Sequence, residues 1–304
     1  MPPHMVRFLE KLAGEPFKRV ASADSVPCIE QSDPSRLCRN PLVSVHMLTY
    51  NHERYIQQAI DGVLNQKTDF EYELVIGEDA STDRTREICF EYQRRYPEKI
   101  RVLWSEKNLY ADAGNGVRTN AACRGKYVAY CEGDDYWTNP DKLQLQVDAF
   151  RKNPKLGICL MGTDVEIEST GERRPFDAAR NFVGLLPAGR HASDFVLFRR
   201  RINGFRLRRM CYQTSGWMIA QDAIRDVKTR LADLFAVCLA FGDTRTLVAI
   251  TEWHDSFFIG RTGSVYRINP GSSSFTSRAK LRRDLILLKL YWLVKIRNWP
   301  RILA

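Results

Sequence analysis

Glu132, Asp134 and Asp135 place three carboxylates within four residues, directly after the strand-forming run Tyr127-Val128-Ala129-Tyr130-Cys131. Adjacent carboxylates repel each other unless water screens them or a cation lies between them. Hard divalent cations take oxygen ligands, and magnesium or manganese commonly bridges one or two carboxylates to substrate phosphates. A cation held by Asp134 and Asp135 would neutralise charge building on a diphosphate leaving group. The plain alternative is a solvated acidic turn ahead of a helix near Pro140. Asp79 is a second candidate. It follows the apolar run ending at Gly77 and precedes Ala80-Ser81-Thr82-Asp83. A carboxylate there can accept the imide N–H of a uracil, a directional contact that specifies the base. Asp83, inside the first turn of the helix that follows, is the better candidate for a plain helix-entry acid.

These residues act together only if the fold gathers them. Residues 42–48, 72–77, 100–104 and 126–131 have the composition of buried strands. Apolar residues at Tyr55, Ile56, Ala59, Ile60, Val63 and Leu64 fall at helical spacing within 53–66. A second helix is expected to run to Tyr92, capped by Ser81 or Thr82, and a third over 117–123. Alternating strands and helices imply right-handed crossovers and an α/β fold with a parallel sheet. In such sheets ligands bind beyond the carboxyl ends of the strands. Thr49-Tyr50-Asn51, Glu78-Asp79 and Glu132-Gly133-Asp134-Asp135 then share one rim. In the second half, 156–161 and 217–220 read as strands and 223–239 as a helix. Residues 257–259 and 263–268 read as a short strand pair ending at Asn269-Pro270-Gly271.

Three segments carry a resemblance. Val43-Ser44-Val45-His46-Met47-Leu48-Thr49-Tyr50-Asn51, Gly77-Glu78-Asp79-Ala80-Ser81-Thr82-Asp83 and Gly125 through Trp137 closely resemble the family 2 glycosyltransferases of GT-A fold. The match runs in order and at the expected spacing from about Leu42 to Phe150. It implies a mostly parallel central sheet flanked by helices. It also implies an inverting, metal-assisted transfer from a nucleoside diphosphate sugar, UDP-linked by the Asp79 reading, to a glycan or lipid-linked hydroxyl, of the bacterial surface-polysaccharide type. On this resemblance Asp79 holds the base, flanked by Thr49 and Tyr50 in a nucleotide-binding segment that extends to Asn51. Asp134 sits near ribose or metal, and Asp135 binds the metal, manganese or magnesium. Glu132 stands where many members carry the first Asp of a D-x-D motif. Phe241-Gly242-Asp243 resembles the segment bearing the family's general base, with Glu252 and Asp255 as the next candidates. Single displacement needs a group that takes the acceptor's proton as the bond forms. Val265 through Ser272 resembles a closing Tyr-Arg-x-His-x-Gly-Ser segment. Arg267 would reach the diphosphate by bidentate hydrogen bonds, and Asn269 replaces the common His. Thr214 and Trp217 are assigned to the acceptor cleft, where an indole could stack on a sugar; a core tryptophan is the alternative.

The chain has 304 residues, 44% of them hydrophobic, enough for a substantial core. The expected divisions are a leader (1–40), a nucleotide-sugar half (41–150), an acceptor half (151–277) and a basic amphipathic tail (278–304). No run of 18 apolar residues occurs, and residues 1–20 lack the apolar core of a secretory signal, so a cytoplasmic placement is expected. Of eight scattered cysteines without C-x-x-C pairs, most read as small buried hydrophobes in a reducing compartment, with a zinc site or disulfide framework as the weaker reading. His46, His52, His191 and His254 share no ligand spacing and read as packing or surface residues. The formal net charge of +10 concentrates in the tail, with eight basic residues against one acid, and in the arginines between 199 and 209. The tail, with Trp292 and Trp299 at its apolar surface, suits a helix lying on an anionic membrane at the inner face of the cell membrane. A terminal helix packed on its own domain is the alternative. Clustered basicity rather than a stripe across the fold argues against a nucleic-acid partner. A metal-dependent nucleotidyltransferase would share the sheet and paired aspartates, but 49–59 contains no Gly or Lys for its phosphate loop.

Overall fold

The structure, a computed structural model, describes residues 20, 22, 25–109, 114–175, 196–198, 213–235 and 242–269. The expected basic tail, Pro270-Gly271 and the arginine cluster at 199–209 lie outside the described residues. In chain order the strands are β1 (Ile29–Gln31), β2 (Val43–Thr49), β3 (Tyr72–Glu78), β4 (Ile100–Trp104), β5 (Tyr127–Tyr130), β6 (Tyr136–Trp137), β7 (Leu156–Ile167), β8 (Glu172–Arg174), β9 (Val196–Phe198), β10 (Trp217–Ala220) and β11 (Asp255–Ile268). The helices are α1 (Ile56–Leu64), α2 (Thr85–Arg95), α3 (Gly114–Ala122), α4 (Lys142–Lys152), α5 (Gln221–Arg230), α6 (Ala232–Phe235) and α7 (Gly242–Trp253). Among the described residues these strands form one mixed sheet in the order β1-β4-β3-β2-β5-β10-β7-β11-β6, with β8 on β7 and β9 on β11.

The block β4-β3-β2-β5 is parallel throughout. β3 is buried along its whole length, as is β2 but for Leu48, because helices cover both faces. α1 buries Ile56, Ala59, Ile60 and Val63, the i, i+3, i+4, i+7 stripe that the sequence displays. Each of the two isoleucines and the valine contributes roughly 1.5–3 kcal/mol on burial. α3 differs. The face it buries is polar, with Asn115, Arg118 and Thr119 against the strand ends. It lies so close to β3 that a Cβ on Gly77 would meet the Thr119 hydroxyl oxygen at 2.1 Å.

Several expectations need correction. The helix expected to begin at Ser81 or Thr82 starts at Thr85, and neither hydroxyl caps it. Both are engaged by Asn51 instead. The expected helix over 223–239 is split, with α5 ending at Arg230 and α6 following. The expected strand pair at 257–268 is one 14-residue strand, β11, parallel to β7, with register shifts at Asp255/Ser256, Ile259/Thr262 and Thr262/Ser264. Part of the expected leader belongs to the sheet, since β1 pairs antiparallel with β4. Charge fixes it there. Arg101 donates to Glu30 at 2.8 and 3.0 Å and to the buried Glu73 at 3.3 Å. Cys89, Cys123, Cys131 and Cys159 are buried, as expected.

Candidate functional site

The rim beyond β2, β3 and β5 is built from three loops tied to one another. The β2–α1 and β3–α2 loops each turn on a residue in left-handed conformation, Asn51 (φ 54°) and Ala80 (φ 59°). Asn tolerates this region, whereas Ala adopts it at a cost of about 1 kcal/mol or more. Strain of this kind persists where surrounding contacts over-determine it, and here they do. The Asn51 N–H donates to Ser81 Oγ (3.0 Å), and Asn51 Oδ1 accepts the Thr82 N–H (2.8 Å). The Glu53 N–H donates to Asp83 (3.1 Å), while Glu53 accepts the Arg84 N–H (3.1 Å). The His52 N–H donates to Thr85 Oγ1 (2.7 Å). Tyr50, 44% exposed, stands on this platform.

Asp79 lies behind it, only 4% exposed. Its Oδ1 accepts the Leu109 N–H at 2.7 Å, and Oδ2 takes no hydrogen bond among the described residues. Burial raises its pKa, opposed by the Leu109 N–H and Arg118. Arg118 sets the strand ends around it, donating to the carbonyls of Glu78 (2.6 Å), Leu103 (3.3 Å) and Pro27 (2.9 Å). Nothing in the sequence singled out Arg118, because its partners are main-chain carbonyls on distant segments.

The Glu132–Asp135 loop crosses directly beneath Thr49. A Cβ on Gly133 would meet Thr49 Cβ and Oγ1 at 2.8 Å, so this crossing requires glycine. The acids separate into different environments. Asp135 is 1% exposed; Oδ2 accepts from Ser215 Oγ (2.5 Å) and Oδ1 accepts the Arg267 N–H (3.0 Å). Burial and then the Asp134 charge push its pKa well up. Asp134 is partly open. Its Oδ2 accepts from Asn269 Nδ2 (3.1 Å) and lies 4.0 Å from His52 Nε2, while Oδ1 takes no hydrogen bond among the described residues. Glu132 accepts from Thr214 Oγ1 at 3.0 Å. Burial, then the Asp134 charge, lift its pKa to about 7, and the Asp243 charge adds to the shift although it lies on α7. Asp243 itself accepts the Thr244 N–H at 2.6 Å.

Three of the expected site residues are engaged or buried inside the protein. Asp135, expected on the metal, has both oxygens engaged inside the protein. Arg267, expected on a diphosphate, is 5% exposed and donates to Glu166 (3.2 Å), the Asp134 carbonyl (2.8 Å) and Gln58 (2.7 Å). The rings of Tyr55 and Tyr136 lie 4.8 and 4.9 Å from its guanidinium carbon. Trp217, expected to stack on an acceptor, is 1% exposed and is the largest fully buried side chain among the described residues. Its strand β10 runs between β5 and β7, inside the sheet. His52, read from sequence as a packing or surface residue, lies at the site, with Nδ1 3.2 Å from Thr49 Oγ1. Burial lowers its pKa against the pull of Asp134.

A family model described as Glycosyl transferase family 2 matches residues 44–224, more than half of the chain. The chain belongs to glycosyltransferase family 2. An uncharacterized protein of Mycobacterium tuberculosis is 43% identical over 117 residues, covering 38% of this chain and 34% of that protein. The chain thus spans about a third of the length of that relative. Solved family-like folds agree with the sheet. S. aureus TarS in complex with UDP-GlcNAc superposes with a TM-score of 0.54 at 18% identity, over 83% of this chain and 66% of that one. The mannosyltransferase PcManGT from Pyrobaculum calidifontis, in complex with GDP-Man and Mn2+, superposes with a TM-score of 0.54 at 15% identity, over 97% of this chain and 72% of that one. Family membership places the match across β2 to α5, the segment that builds the rim.

Proposed function

We propose that this family 2 chain transfers a sugar from a nucleoside diphosphate sugar to a hydroxyl of a glycan or lipid-linked acceptor, by a single inverting displacement. The carrying observation is the convergence of a buried carboxylate with one oxygen engaged, Asp79, and a partly open carboxylate, Asp134, on one rim of the parallel block. The Asp243 charge reaches the same loop. Asp79 accepts the imide N–H of the base through Oδ2, and Tyr50 offers the exposed ring beside it. The uracil of the UDP-GlcNAc in TarS carries such an imide, and the guanine of the GDP-Man in PcManGT carries a lactam N–H instead. The uracil reading is retained because a single carboxylate oxygen suffices for it.

A divalent cation fits this site through Asp134 rather than Asp135. Asp134 offers a hard oxygen donor, and the described residues form no cluster of three or more acidic, His or Cys side chains to complete a closed metal site. Magnesium and manganese are commonly held by one or two carboxylates together with substrate phosphates. Bound there, the cation would supply positive charge to the diphosphate. Asn269 and His52 flank and orient the Asp134 carboxylate. Asp243 takes the acceptor's proton as the new bond forms. Thr214 and Glu132, joined by a hydrogen bond, form the acceptor side of the cleft in this reading. Among the described residues no helix is long and apolar enough to cross a membrane. Incubation with a panel of uridine, guanosine and thymidine diphosphate sugars, with and without manganese, tests the proposal. Metal-dependent release of nucleoside diphosphate is expected from one of them. Absence of both binding and release across the panel would refute it.

A further inference from the structure

Ser215 sits in a single 3-10 turn, Thr214–Gly216, that leads into β10. It is fully buried and far in sequence from the acidic loop, yet it holds that loop at both ends. Its Oγ accepts the Glu132 N–H at 3.1 Å and donates to Asp135 Oδ2 at 2.5 Å. Its carbonyl accepts Trp137 Nε1 at 2.9 Å, just past the loop. The neighbouring Thr214 hydroxyl holds the Glu132 side chain. Opposite this turn, β11 grips the same loop through the Arg267 N–H on Asp135 and the Arg267 guanidinium on the Asp134 carbonyl. Asp134 is therefore suspended between two anchors that fix its main chain, while Asn269, just past β11, holds one oxygen of its carboxylate.

We propose that Ser215 is a positioning residue: through Asp135 and the Glu132 N–H, its hydroxyl fixes the loop geometry that presents Asp134 to a divalent cation and diphosphate. This rests on the glycosyltransferase reading of the same site. One hydroxyl serves as both acceptor and donor here, and neither role can pass to solvent at a fully buried position. Removing it strands the Glu132 N–H and one Asp135 oxygen. The loop then relaxes to find new partners, and Asp134 moves with it. Partners one step behind a metal ligand typically govern metal affinity by roughly 10–100-fold.

The test is calorimetric titration of Mn2+ into full-length protein held with saturating UDP, or GDP where the wild type binds only that. Nucleotide affinity in chelator is measured in parallel. Ser215→Ala is expected to weaken Mn2+ roughly tenfold or more while changing chelator-state nucleotide affinity less than about threefold. Ser215→Cys, close in shape but a weak donor, is expected to fall between. Should the Ala variant not fold, the Cys variant carries the comparison. On an Asp135→Asn background, Ser215→Ala is expected to have a much smaller effect, because the two residues act through one bond. Mn2+ affinity within twofold of wild type in the folded variant would overturn the proposal. So would an undiminished effect of Ser215→Ala in the Asp135→Asn background. If the wild type binds nucleotide without any Mn2+ dependence, the metal reading of the site fails first, and this proposal with it.

Discussion

Replacing Asp79 by asparagine changes the hydrogen-bonding polarity of the proposed base site while leaving its shape almost intact. One carboxylate oxygen is committed to the Leu109 N–H at 2.7 Å. The substituted side chain must keep its amide oxygen on that donor, because a buried N–H facing an NH2 group would be unpaired. The NH2 then occupies the place of Oδ2. A uracil N3–H arriving there meets a donor instead of an acceptor. The loss combines a charge-assisted hydrogen bond, about 1.5–3 kcal/mol, with a desolvated unpaired donor, about 1–3 kcal/mol. Taken together, UDP affinity should fall by roughly a hundredfold to ten-thousandfold. Cytosine presents an acceptor at N3, so CDP should bind the variant better than it binds the wild type. The assay is calorimetric titration of UDP, CDP and GDP into wild type and Asp79→Asn, with thermal melts to verify folding. UDP affinity within threefold of wild type, or a parallel loss for CDP, would refute the assignment of Asp79 to the base.

Asp134→Ala should abolish Mn2+-dependent nucleotide binding and leave the melting temperature nearly unchanged, whereas Asp135→Ala should lower stability by about 2–4 kcal/mol in denaturant titration, since it strands the Ser215 hydroxyl and the Arg267 N–H. Asp243→Asn should reduce kcat by roughly a hundredfold to ten-thousandfold with nucleotide affinity within about twofold; turnover within tenfold of wild type would move the base to Glu252 or Asp255. Burial lowers the pKa of His46 to about 4, so the folded state keeps it neutral where the unfolded chain, titrating near 6.5, takes up a proton. Its contribution is present above pH 6.5 and is lost as pH falls toward 4, by about 3 kcal/mol in total. Urea midpoints for wild type and His46→Gln measured between pH 4 and 7 should show the variant losing less stability on acidification by about that amount.

The local pattern of residues was enough to reveal β2, β3, β4, β5 and α1, because a strand buried on both faces and an amphipathic helix leave periodic marks in their own segments. The same logic put Asp79 and the Glu132–Asp135 loop at strand ends on one rim, since parallel connections leave their polar residues there. Strand identity in the second half was less legible. The bulges of β11 interrupt its alternation, so one long strand reads as two. Tertiary structure alone decided which acid is buried and which is open. Asp134 and Asp135 are identical in type and adjacent in sequence, and only Ser215, 80 residues away, together with the Arg267 main chain, separates the buried one from the open one. It also turned Arg267 inward against two tyrosine rings, buried Trp217, and brought His52 beside Asp134. Side-chain chemistry is written residue by residue, but exposure and hydrogen-bond partners depend on segments that meet only after folding.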